Sequence, residues 1–299
     1  MKTNNAKKEN FLLIDGNLLM FQSFYASYNP NNINYLMKSP KGIYVNGVHV
    51  FLISLAKLIE AFDPKYLFIA FDANGKTKRH NEFEGYKSGR NKAPEIIFEQ
   101  FALIKDILTG LNIKWFEQIG DEADDLIATL AKTKETNNII FSKDKDLLQL
   151  VNENTIIAQN AKNEYGYRIV NLDNFETIFG ILPSQIPDFK GLAGDASDNL
   201  TGVNGIGDKG AVKLLNEFGS LENIYQNIEQ IKGKQKEKLL NDKNNAFLCK
   251  KLALLNKDVD MDTNIKNYEH FLYTNNEKGK ELLKEHKLTK CYEYIFNRY

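Results

Sequence analysis

Aspartate residues stand directly after the most apolar runs in the first half of this sequence. Asp15 follows Phe-Leu-Leu-Ile, Asp72 follows Leu-Phe-Ile-Ala-Phe, and Asp144 and Asp146 come just after Ile-Ile-Phe-Ser. If these runs are strands of one parallel sheet, each acid lies at or just beyond the carboxyl end of a strand, where open α/β sheets bind their ligands. The spacing therefore predicts that acids far apart in the chain meet in one crevice.

Further acids extend this pattern. Glu122, Asp124 and Asp125 fall in the first turn of a predicted helix, and Asp195 and Asp198 come where a run of short helices begins. Each acid also has an ordinary structural explanation, because aspartate often ends a strand and acids favour the dipole of a helix's first turn. The combination is harder to explain in that way, since unpaired carboxylates about 4 Å apart repel by about 4 kcal/mol at an effective dielectric of about 20. Such a cluster needs counter-charge or protonation.

Metal-assisted hydrolysis is the chemistry that such a cluster could perform. The four histidines are scattered, and neither a zinc-ligand spacing nor a Ser-His-Asp or Cys-His arrangement is evident. Carboxylate oxygens are hard ligands that favour Mg²⁺ or Mn²⁺. Two such ions about 4 Å apart can activate a water molecule and stabilise the leaving oxygen of a phosphodiester.

The elements that must position these acids alternate along the first half of the chain. Apolar runs predict strands, and stretches with helical spacing of apolar residues predict helices. The strands are predicted at 11–14, 66–71, 113–116 and 138–141, and the helices at 47–62, 94–111 and 122–132. This alternation is typical of a parallel sheet with helices on its faces. After about Asn171 the strands stop, and a smaller helical region is expected to begin near Pro183.

The bulk composition is that of a soluble globular protein. The 299 residues carry no formal net charge, and 42% of them are hydrophobic. The only cysteines, Cys249 and Cys291, lack metal-ligand spacing, which favours reduced thiols and a cytoplasmic location. No apolar stretch approaches membrane-spanning length, and residues 1–10 are expected to form a disordered tail.

Lysine and arginine concentrate at 76–92 and 232–251, which suits phosphate-binding surfaces, although a solvated charged surface is an equal alternative.

A glycine-rich stretch from Gly202 to Leu215 indicates a helix-hairpin-helix. Gly205 and Gly207 flank Ile206, and an amphipathic helix follows. Glycines let a backbone approach a phosphate closely, and the free N–H groups at a helix start can bind it without regard to base sequence. Glycine-rich helix turns also occur for packing alone.

A long polar connection between predicted elements spans residues 73–93. A connection of this length inside a compact domain is usually functional or disordered. Phe83 and Tyr86 are interleaved with cations, a combination that suits a single nucleic-acid strand, because rings stack on bases and cations bind phosphates. The alternative is a solvated, mobile loop. The cations of this segment are Lys76, Lys78, Arg79, Lys87, Arg90 and Lys92.

Taken together, these motifs resemble the bacterial 5′-3′ exonuclease family, which includes the N-terminal nuclease domain of DNA polymerase I and is related to the flap endonucleases. The matching segments occur in family order and cover roughly residues 11–257. They are LLIDGN, FDANGKTKRH, GYKSGR, DEADDLIATLA, SKDKDLLQL and GLAGDASDNLTGVNGIGDKGAVKLL.

The resemblance implies a PIN-like nuclease core over 11–182 with a helical arch at about 73–93. An α-helical DNA-binding region of the helix-three-turn-helix type would follow over 183–299, with its helix-hairpin-helix at about 195–217. The resemblance also implies two sites for divalent cations. One would use Asp15, Asp72, Glu122 and Asp124, and the other Asp144, Asp146 and Asp198, with Asp125 and Asp195 close by as outer ligands.

The resemblance further assigns DNA contacts and catalytic groups. Tyr86, Lys87 and Arg90 fall where the family gates the 5′ strand, and the position of Lys87 is placed to act at the scissile phosphate, so the catalytic set is Lys87, Arg90, Asp15 and Asp146. The hairpin would bind duplex DNA, with a monovalent cation such as K⁺ bridging backbone carbonyls and phosphate. The other DNA-binding residues implied are Arg79, Gly202, Val203, Gly205, Ile206, Gly207 and Lys209.

The chain departs from the family pattern at three positions. Gln22 stands where many relatives have a basic residue that contacts the substrate, Lys78 replaces a common Phe, and Thr201 replaces a common Pro. None of these changes removes a carboxylate, so both metal sites are expected to be intact.

The expectation is a stand-alone, monomeric 5′-3′ exonuclease and 5′-flap endonuclease. Its partners would be DNA with 5′ flaps or 5′ ends and RNA-DNA primer junctions in replication and repair. Gln22 motivates an alternative, a structure-specific DNA-binding protein with weakened catalysis. A PIN-type ribonuclease is a third interpretation, against which the hairpin counts, because it is a device for duplex DNA.

Overall fold

The computed structural model describes residues 8–90, 92–164, 166–270 and 276–296. Of the tail expected at 1–10, residues 1–7 lie outside these ranges, whereas Asn10 already belongs to the first strand. Asn10 pairs with Asn137 of a neighbouring strand, and its side-chain amide donates to the carbonyl of Phe62 at 2.7 Å. Asn10 is therefore part of the sheet, one residue before the apolar pattern starts.

Six strands form one sheet. They are β1 Asn10–Asp15, β2 Tyr66–Ala70, β3 Trp115–Phe116, β4 Asn137–Phe141, β5 Thr155–Asn160 and β6 Tyr167–Val170. The order is β3-β2-β1-β4-β5-β6, and every neighbouring pair is parallel except β5 with β6. The predicted parallel sheet is thus confirmed, with an antiparallel edge strand added. β5 and β6 are absent from the sequence prediction, since polar residues such as Gln159 and Arg168 break their apolar pattern.

The strand order reverses at β1. From β1 the chain moves outward to β2 and β3, and it then returns to the other side of β1 to form β4 and β5. A reversal of this kind opens a crevice at the carboxyl ends of the two central strands, because the connections leave in opposite directions there. Asp15 ends β1, and the segment that carries Asp144 follows β4.

Thirteen helices are seen in the described ranges. They are α1 Gly16–Ser27, α2 Asn46–Phe62, α3 Lys78–Glu82, α4 Ile96–Gly110, α5 Ala123–Leu130, α6 Leu172–Phe179, α7 Ile186–Ala193, α8 Asp208–Phe218, α9 Leu221–Gln226, α10 Gly233–Asn241, α11 Lys243–Ala253, α12 Glu277–Glu285 and α13 Thr289–Phe296. The three helices predicted in the first half correspond to α2, α4 and α5, with ends that differ by two residues or fewer. α1 is not predicted, because its apolar residues do not fall on one face.

The sheet is covered on both faces. Successive side chains of a strand point to opposite faces. Accordingly Phe11 and Leu13 of β1 pack with α5 and the helices that follow the sheet, whereas Leu12 and Ile14 pack with α2 and α4. The first of these cores continues without a break into α7, α8 and α9, so the helical region shares a core with the sheet instead of forming its own.

The last two helices correct the expected division of the chain. Residues 183–299 are predicted to form a DNA-binding region. In the structure, however, Leu283 of α12 and Cys291 and Ile295 of α13 belong to the core around α2 and α4. Residues 277–296 therefore pack against the core on the face of the sheet opposite the helical region. Nothing in the described parts of the chain is a helix both long and apolar enough to cross a lipid bilayer.

Candidate active site

Asp15 anchors the cluster at the end of the central strand. Its Oδ1 accepts the backbone N–H of Leu18 at 2.8 Å and so caps α1, while its Oδ2 accepts the hydroxyl of Ser142 at 2.9 Å. The N-terminus of a helix favours a negative side chain. Burial nevertheless raises the pKa of Asp15 to about 7, and the nearby carboxylates of Asp72 and Asp144 add to that rise.

Asp72 and Asp124 complete the part of the cluster nearest β2. Asp72 accepts the backbone N–H of Ala123 at 2.8 Å and the side-chain amide of Asn17 at 3.0 Å, which ties the end of β2 to the starts of α5 and α1. Burial raises the pKa of Asp124 well above its usual range, and repulsion from Asp144, Asp15 and Asp72 contributes in the same direction. The predicted convergence of distant acids is therefore observed.

The acids after β4 are held by a short network of their own. The hydroxyl of Ser142 accepts the backbone N–H of Asp144 at 3.0 Å, and Asp144 accepts the N–H of Asp146 at 2.8 Å. Ser142 also bonds Asp15, so it links the two groups of carboxylates. Burial raises the pKa of Asp146 to about 7, although Lys190 opposes that rise.

Lys190 of α7 is a functional residue that the sequence analysis missed. Its Nζ lies 2.5 Å from Asp146 Oδ1 and 2.6 Å from Asp195 Oδ2, and only 4% of its side chain is exposed. The nearby acids raise the pKa of Lys190 in spite of its burial, so it is a fixed positive charge within the cluster. Its signal in the sequence is a lysine between the apolar residues Phe189 and Leu192 of a short helix.

The polar segment at 73–93 folds down onto the carboxylates. The hydroxyl oxygen of Tyr86 lies 3.2 Å from both Glu122 Oε2 and Asp198 Oδ2, so its one proton can be donated to either carboxylate. The Nζ of Lys87 lies 3.0 Å from Glu122 Oε2. Arg90 donates to Asp198 Oδ1 at 2.8 Å. The structure thus brings together the gate residues and the acids that the sequence analysis singles out separately.

This segment differs from the expected helical arch in two respects. Its only helix within the described residues is α3, which is five residues long. Tyr86 is 3% exposed, so its ring is packed inside the protein and is not free to stack on a base. Tyr86 is buried because its hydroxyl faces the carboxylates of Glu122 and Asp198, which lie far from it in the sequence.

Lys87 is held in an uncommon backbone conformation. Its φ is 57°, in the left-handed region, where a side chain other than glycine carries strain. The N–H of Lys87 donates to the carbonyl of Asp198 at 3.0 Å, and the Asn199 side chain bonds Gly85 O and Ser88 Oγ on either side. Contacts from the helical region therefore hold the backbone at Lys87.

Asp125 and Arg79 do not take the roles that the resemblance assigns to them. Asp125 accepts both terminal nitrogens of Arg79, at 2.7 and 2.8 Å, together with the backbone N–H groups of Glu122 and Asn256. A carboxylate with this many donors is already satisfied and is not a metal ligand. Arg79 is equally engaged, so it does not face DNA. The pairing that opposes these two assignments joins residues 46 positions apart, so the local sequence does not reveal it.

The hairpin residues divide into buried and exposed groups. Val203 and Ile206 are buried, and their N–H groups donate to Leu192 O and Val203 O within the protein, which removes these two amides from the predicted phosphate site. Gly202 is also buried, with a φ of 63°. The exposed members are Gly205, Gly207 and Lys209. Gly207 precedes α8 with open space where a side chain would stand, so an anion can approach the free N–H groups there.

The carboxylate side chains of this cluster could bind a divalent cation only if they moved from the positions that they have in this structure. Across the described ranges, no three acidic, histidine or cysteine side chains are arranged so that they could hold a metal ion as they stand. Instead Lys87, Lys190 and Arg90 supply positive charge directly to the carboxylates. The chemistry of the donors does fit Mg²⁺ or Mn²⁺, because every candidate is a carboxylate oxygen and mutual repulsion favours a bound cation.

Open space adjoins this cluster. A cavity of about 470 Å³ is lined by Asp15, Arg90, Asp144 and Ser197, among others. Its walls come from β1, from the polar segment at 73–93 (the gate segment), from the turn after β4 and from the helical region. A ligand in the cavity would therefore touch all four parts.

Two family models match successive parts of the chain. One is described as the 5′-3′ exonuclease, N-terminal resolvase-like domain, and it matches residues 10–180. The other is described as the 5′-3′ exonuclease, C-terminal SAM fold, and it matches residues 181–276.

Two bacterial relatives illustrate the similarity. The chain is 41% identical over 266 residues to a 5′-3′ exonuclease of Mycoplasmopsis pulmonis, a match that covers 87% of this chain and 85% of that protein. It is 39% identical over 261 residues to DNA polymerase I of Lactococcus lactis subsp. lactis, but that match covers 85% of this chain and only 29% of the polymerase. The match therefore involves less than a third of the polymerase and does not extend to the rest of it.

Solved structures share the fold at low sequence identity. T5 5′-exonuclease with bound zinc matches with a TM-score of 0.64 and 20% identity, over 96% of this chain and 98% of that one. Flap endonuclease-1 from Methanococcus jannaschii matches with a TM-score of 0.62 and 17% identity, over 97% and 92% of the two chains. These solved structures thus share the overall fold of this chain. Because the two family models together match residues 10–276, the chain belongs to the 5′-3′ exonuclease family.

Proposed function

We propose that this enzyme of the 5′-3′ exonuclease family hydrolyses DNA at free 5′ ends and at the base of 5′ flaps, and that it also removes RNA primers, in replication and repair. The observation that carries this proposal is the meeting of carboxylates from β1, β2, α5, the turn after β4 and the helical region, with Lys87 beside them. A structure of the T5 flap endonuclease contains DNA and metal ions, and the catalytic core of Rad2 is known with a DNA substrate.

The proposed cofactor is a pair of Mg²⁺ or Mn²⁺ ions. Asp15, Asp72, Glu122 and Asp124 would hold one ion. Asp144, Asp146 and Asp198 would hold the other, with Asp195 close by as an outer ligand. The ions would activate water and stabilise the leaving oxygen of the phosphodiester. Asp125 is left out of both groups because Arg79 and two backbone amides already occupy its oxygens.

The protein's own side chains would orient the substrate. Lys87 would donate hydrogen bonds to the scissile phosphate once that phosphate competes with Glu122 for its ammonium group. Arg90, half exposed beside Asp198, would contact the neighbouring phosphate. A phosphate clamp of this type contributes most where charge develops in the transition state.

The exposed hairpin residues would hold the duplex part of the substrate. Gly205 and Gly207 present backbone to solvent at the start of α8, and Lys209 adds a cation in its first turn. These groups recognise phosphates, so binding would not depend on base sequence. Binding of K⁺ stays a prediction, and any such ion would share the carbonyl of Gly205 with the Nζ of Lys238, which lies 3.0 Å away.

Neither alternative is favoured by a specific observation. Gln22 accepts a hydrogen bond from Asn160 at 3.0 Å, outside the carboxylate cluster, so it gives no reason to expect weakened hydrolysis. A PIN-type ribonuclease does not explain the hairpin. Action as a cytoplasmic monomer remains a prediction from the sequence.

Cleavage of labelled substrates tests the proposal. With Mg²⁺ or Mn²⁺ present, the protein is expected to release short products from a 5′-flap duplex and to cut a matched single-stranded RNA poorly. Chelation of the metal should stop cleavage and leave binding of the flap duplex measurable by anisotropy. Binding without hydrolysis in either metal would reject the nuclease and favour a DNA-binding protein, whereas a preference for single-stranded RNA would favour a ribonuclease.

Metal binding is also expected to depend on pH. Because the pKa values of Asp15 and Asp146 are raised to about 7, the metal-free folded protein binds protons more tightly than the unfolded chain. The stability that these two groups contribute is present at low pH and is lost as the pH rises through about 7. Bound Mn²⁺ replaces those protons, so its stabilising effect should grow over the same interval.

Thermal denaturation in Mn²⁺ and in chelator measures this effect. The rise in melting temperature caused by Mn²⁺ should be larger by about 4 °C at about pH 8 than at about pH 5.5, since each pKa unit corresponds to about 1.4 kcal/mol. Equal stabilisation at both pH values would show that Mn²⁺ does not compete with protons on these carboxylates.

A further inference from the structure

Arg79 uses its whole guanidinium group inside the protein. Nε donates to Leu252 O at 2.8 Å, Nη1 donates to Asp125 Oδ2 at 2.7 Å and to Glu122 Oε2 at 3.1 Å, and Nη2 donates to Asp125 Oδ1 at 2.8 Å and to Leu254 O at 2.9 Å. A guanidinium has five N–H donors, so each of them has an acceptor here. Only 11% of the side chain is exposed.

These hydrogen bonds join three parts of the chain. Arg79 lies in α3 at the base of the gate segment, Asp125 lies in the first turn of α5, and Leu252 and Leu254 are at the end of α11. The last carbonyls of a helix have no partner within the helix and carry a partial negative charge, so they attract a cation. Arg79 therefore connects the gate segment both to the metal-binding side of the sheet and to the helical region.

Arg79 is linked in this way to Glu122 and Lys87, two side chains that act in the proposed mechanism. Glu122 Oε2 receives hydrogen bonds from Arg79 and Tyr86 and an ion pair from Lys87, which lies eight positions after Arg79 in the same segment. Asp125, held by Arg79, also accepts the backbone N–H of Glu122 at 3.1 Å. Loss of Arg79 would thus remove one of the three donors at Glu122 Oε2 and, through Asp125, would loosen the backbone that carries Glu122.

A contact between Arg79 and DNA is incompatible with this arrangement. The guanidinium would have to leave all its acceptors, and Asp125, with 3% of its side chain exposed, would remain as an uncompensated buried charge. Asp125 would keep only the N–H groups of Glu122 and Asn256. Exposed cations such as Lys209 can reach a phosphate without this cost.

We propose that Arg79 is a positioning residue: through Asp125 and the end of α11 it holds Glu122 in place for a metal ion and Lys87 in place for the scissile phosphate, and it does not bind DNA. This inference rests on the proposed role of Glu122 as a metal ligand.

Three full-length variants separate positioning from DNA contact, namely Arg79→Gln, Asp125→Asn and the double variant. Mn²⁺ affinity is measured by calorimetry on the DNA-free protein, and binding of a 5′-flap duplex is measured in chelator over a range of salt. Each single variant is expected to bind Mn²⁺ about tenfold more weakly or worse, as for the loss of a group that orients a metal ligand. The double variant should be no worse than either single one, because both changes break the same connection.

The salt dependence of DNA binding provides a readout that a positioning role does not change. Loss of a phosphate contact lowers the slope of log affinity against log salt by about one, whereas loss of a positioning residue leaves it unchanged. Lys209→Gln is the comparison expected to lower the slope, and Lys132→Gln, on the surface beside Asp258, should change neither quantity. If Arg79→Gln does not fold, the double variant, which does not leave Asp125 as an unpaired buried charge, still measures the salt slope of DNA binding in the absence of Arg79.

Several results would overturn the inference. One is a lower salt slope for Arg79→Gln, which would place Arg79 on a phosphate. Another is weakened Mn²⁺ binding in Asp125→Asn alone, which would make Asp125 a metal ligand. Wild-type Mn²⁺ affinity in both single variants, in a protein that cuts flaps normally, would reject the role of Arg79 and leave the proposed function intact. A wild-type protein that binds no Mn²⁺ would reject both.

Discussion

Asp15→Asn is expected to slow cleavage of a 5′-flap duplex by more than about 10³-fold, the scale of losing a major charge-stabilising group at a reaction centre. Asp15 lies at the end of the central strand, where the strand order reverses, and it is the acid that both groups of carboxylates approach. Its replacement by a neutral amide removes a hard anionic ligand but keeps the size of the side chain. DNA affinity should change little, since the phosphate-binding groups lie elsewhere.

The same change should stabilise the metal-free protein. Burial and repulsion raise the pKa of Asp15 to about 7, so its ionised form is costly in the folded state at higher pH. Removing that charge is expected to raise the free energy of unfolding by about 2 kcal/mol at about pH 8, and by much less at about pH 5. Denaturant titrations at the two pH values would measure the difference.

Asp173→Asn is the matched control for Asp15→Asn. Asp173 is an exposed acid in the first turn of α6, so its loss should change neither cleavage nor the pH dependence of stability. Asp146→Asn should behave like Asp15→Asn in cleavage, because its carboxylate belongs to the same cluster. A single-turnover rate for Asp15→Asn within tenfold of wild type would contradict the assignment of this pocket as the reaction centre.

Lys87→Ala should lower the single-turnover rate by about 10²- to 10³-fold, as for removal of one group that stabilises charge in the transition state. The Lys87 side chain is 17% exposed and points among the carboxylates. Burial alone would lower its pKa, but Glu122 and Asp198 outweigh burial and raise the pKa of Lys87, so the ammonium stays charged in the working pH range. Cleavage should therefore show no loss from deprotonation of this lysine near neutral pH.

Metal affinity distinguishes Lys87 from a metal ligand. Lys87→Ala should not weaken Mn²⁺ binding, because the ammonium pairs with Glu122 and so opposes a cation there. Lys87→Arg should recover part of the rate, since it keeps the charge but places it differently. Lys132→Ala, a surface lysine beside Asp258, is the control expected to leave the rate unchanged. A variant whose rate loss disappears at saturating DNA would show that Lys87 serves substrate binding only.

Local patterns in the sequence determined the core of the fold and the identity of the carboxylates. Short apolar runs that each end in aspartate predicted β1, β2 and β4, because a buried parallel strand needs apolar side chains on both faces and its carboxyl end faces the ligand crevice. The hairpin was equally readable, since glycines with positive φ, such as Gly202 and Gly205, stand where the backbone turns sharply. These features depend on residues close together in the chain.

Tertiary structure alone decided how the charges are paired. Arg79 and Asp125 are each compatible with DNA or metal binding from the sequence, and only their contact shows that they satisfy each other. The sequence does not indicate the partners of Lys190, which α7 places between Asp146 and Asp195. The physical reason is that a buried charge is stabilised by whichever opposite charge folding places beside it, and that partner can lie anywhere in the chain.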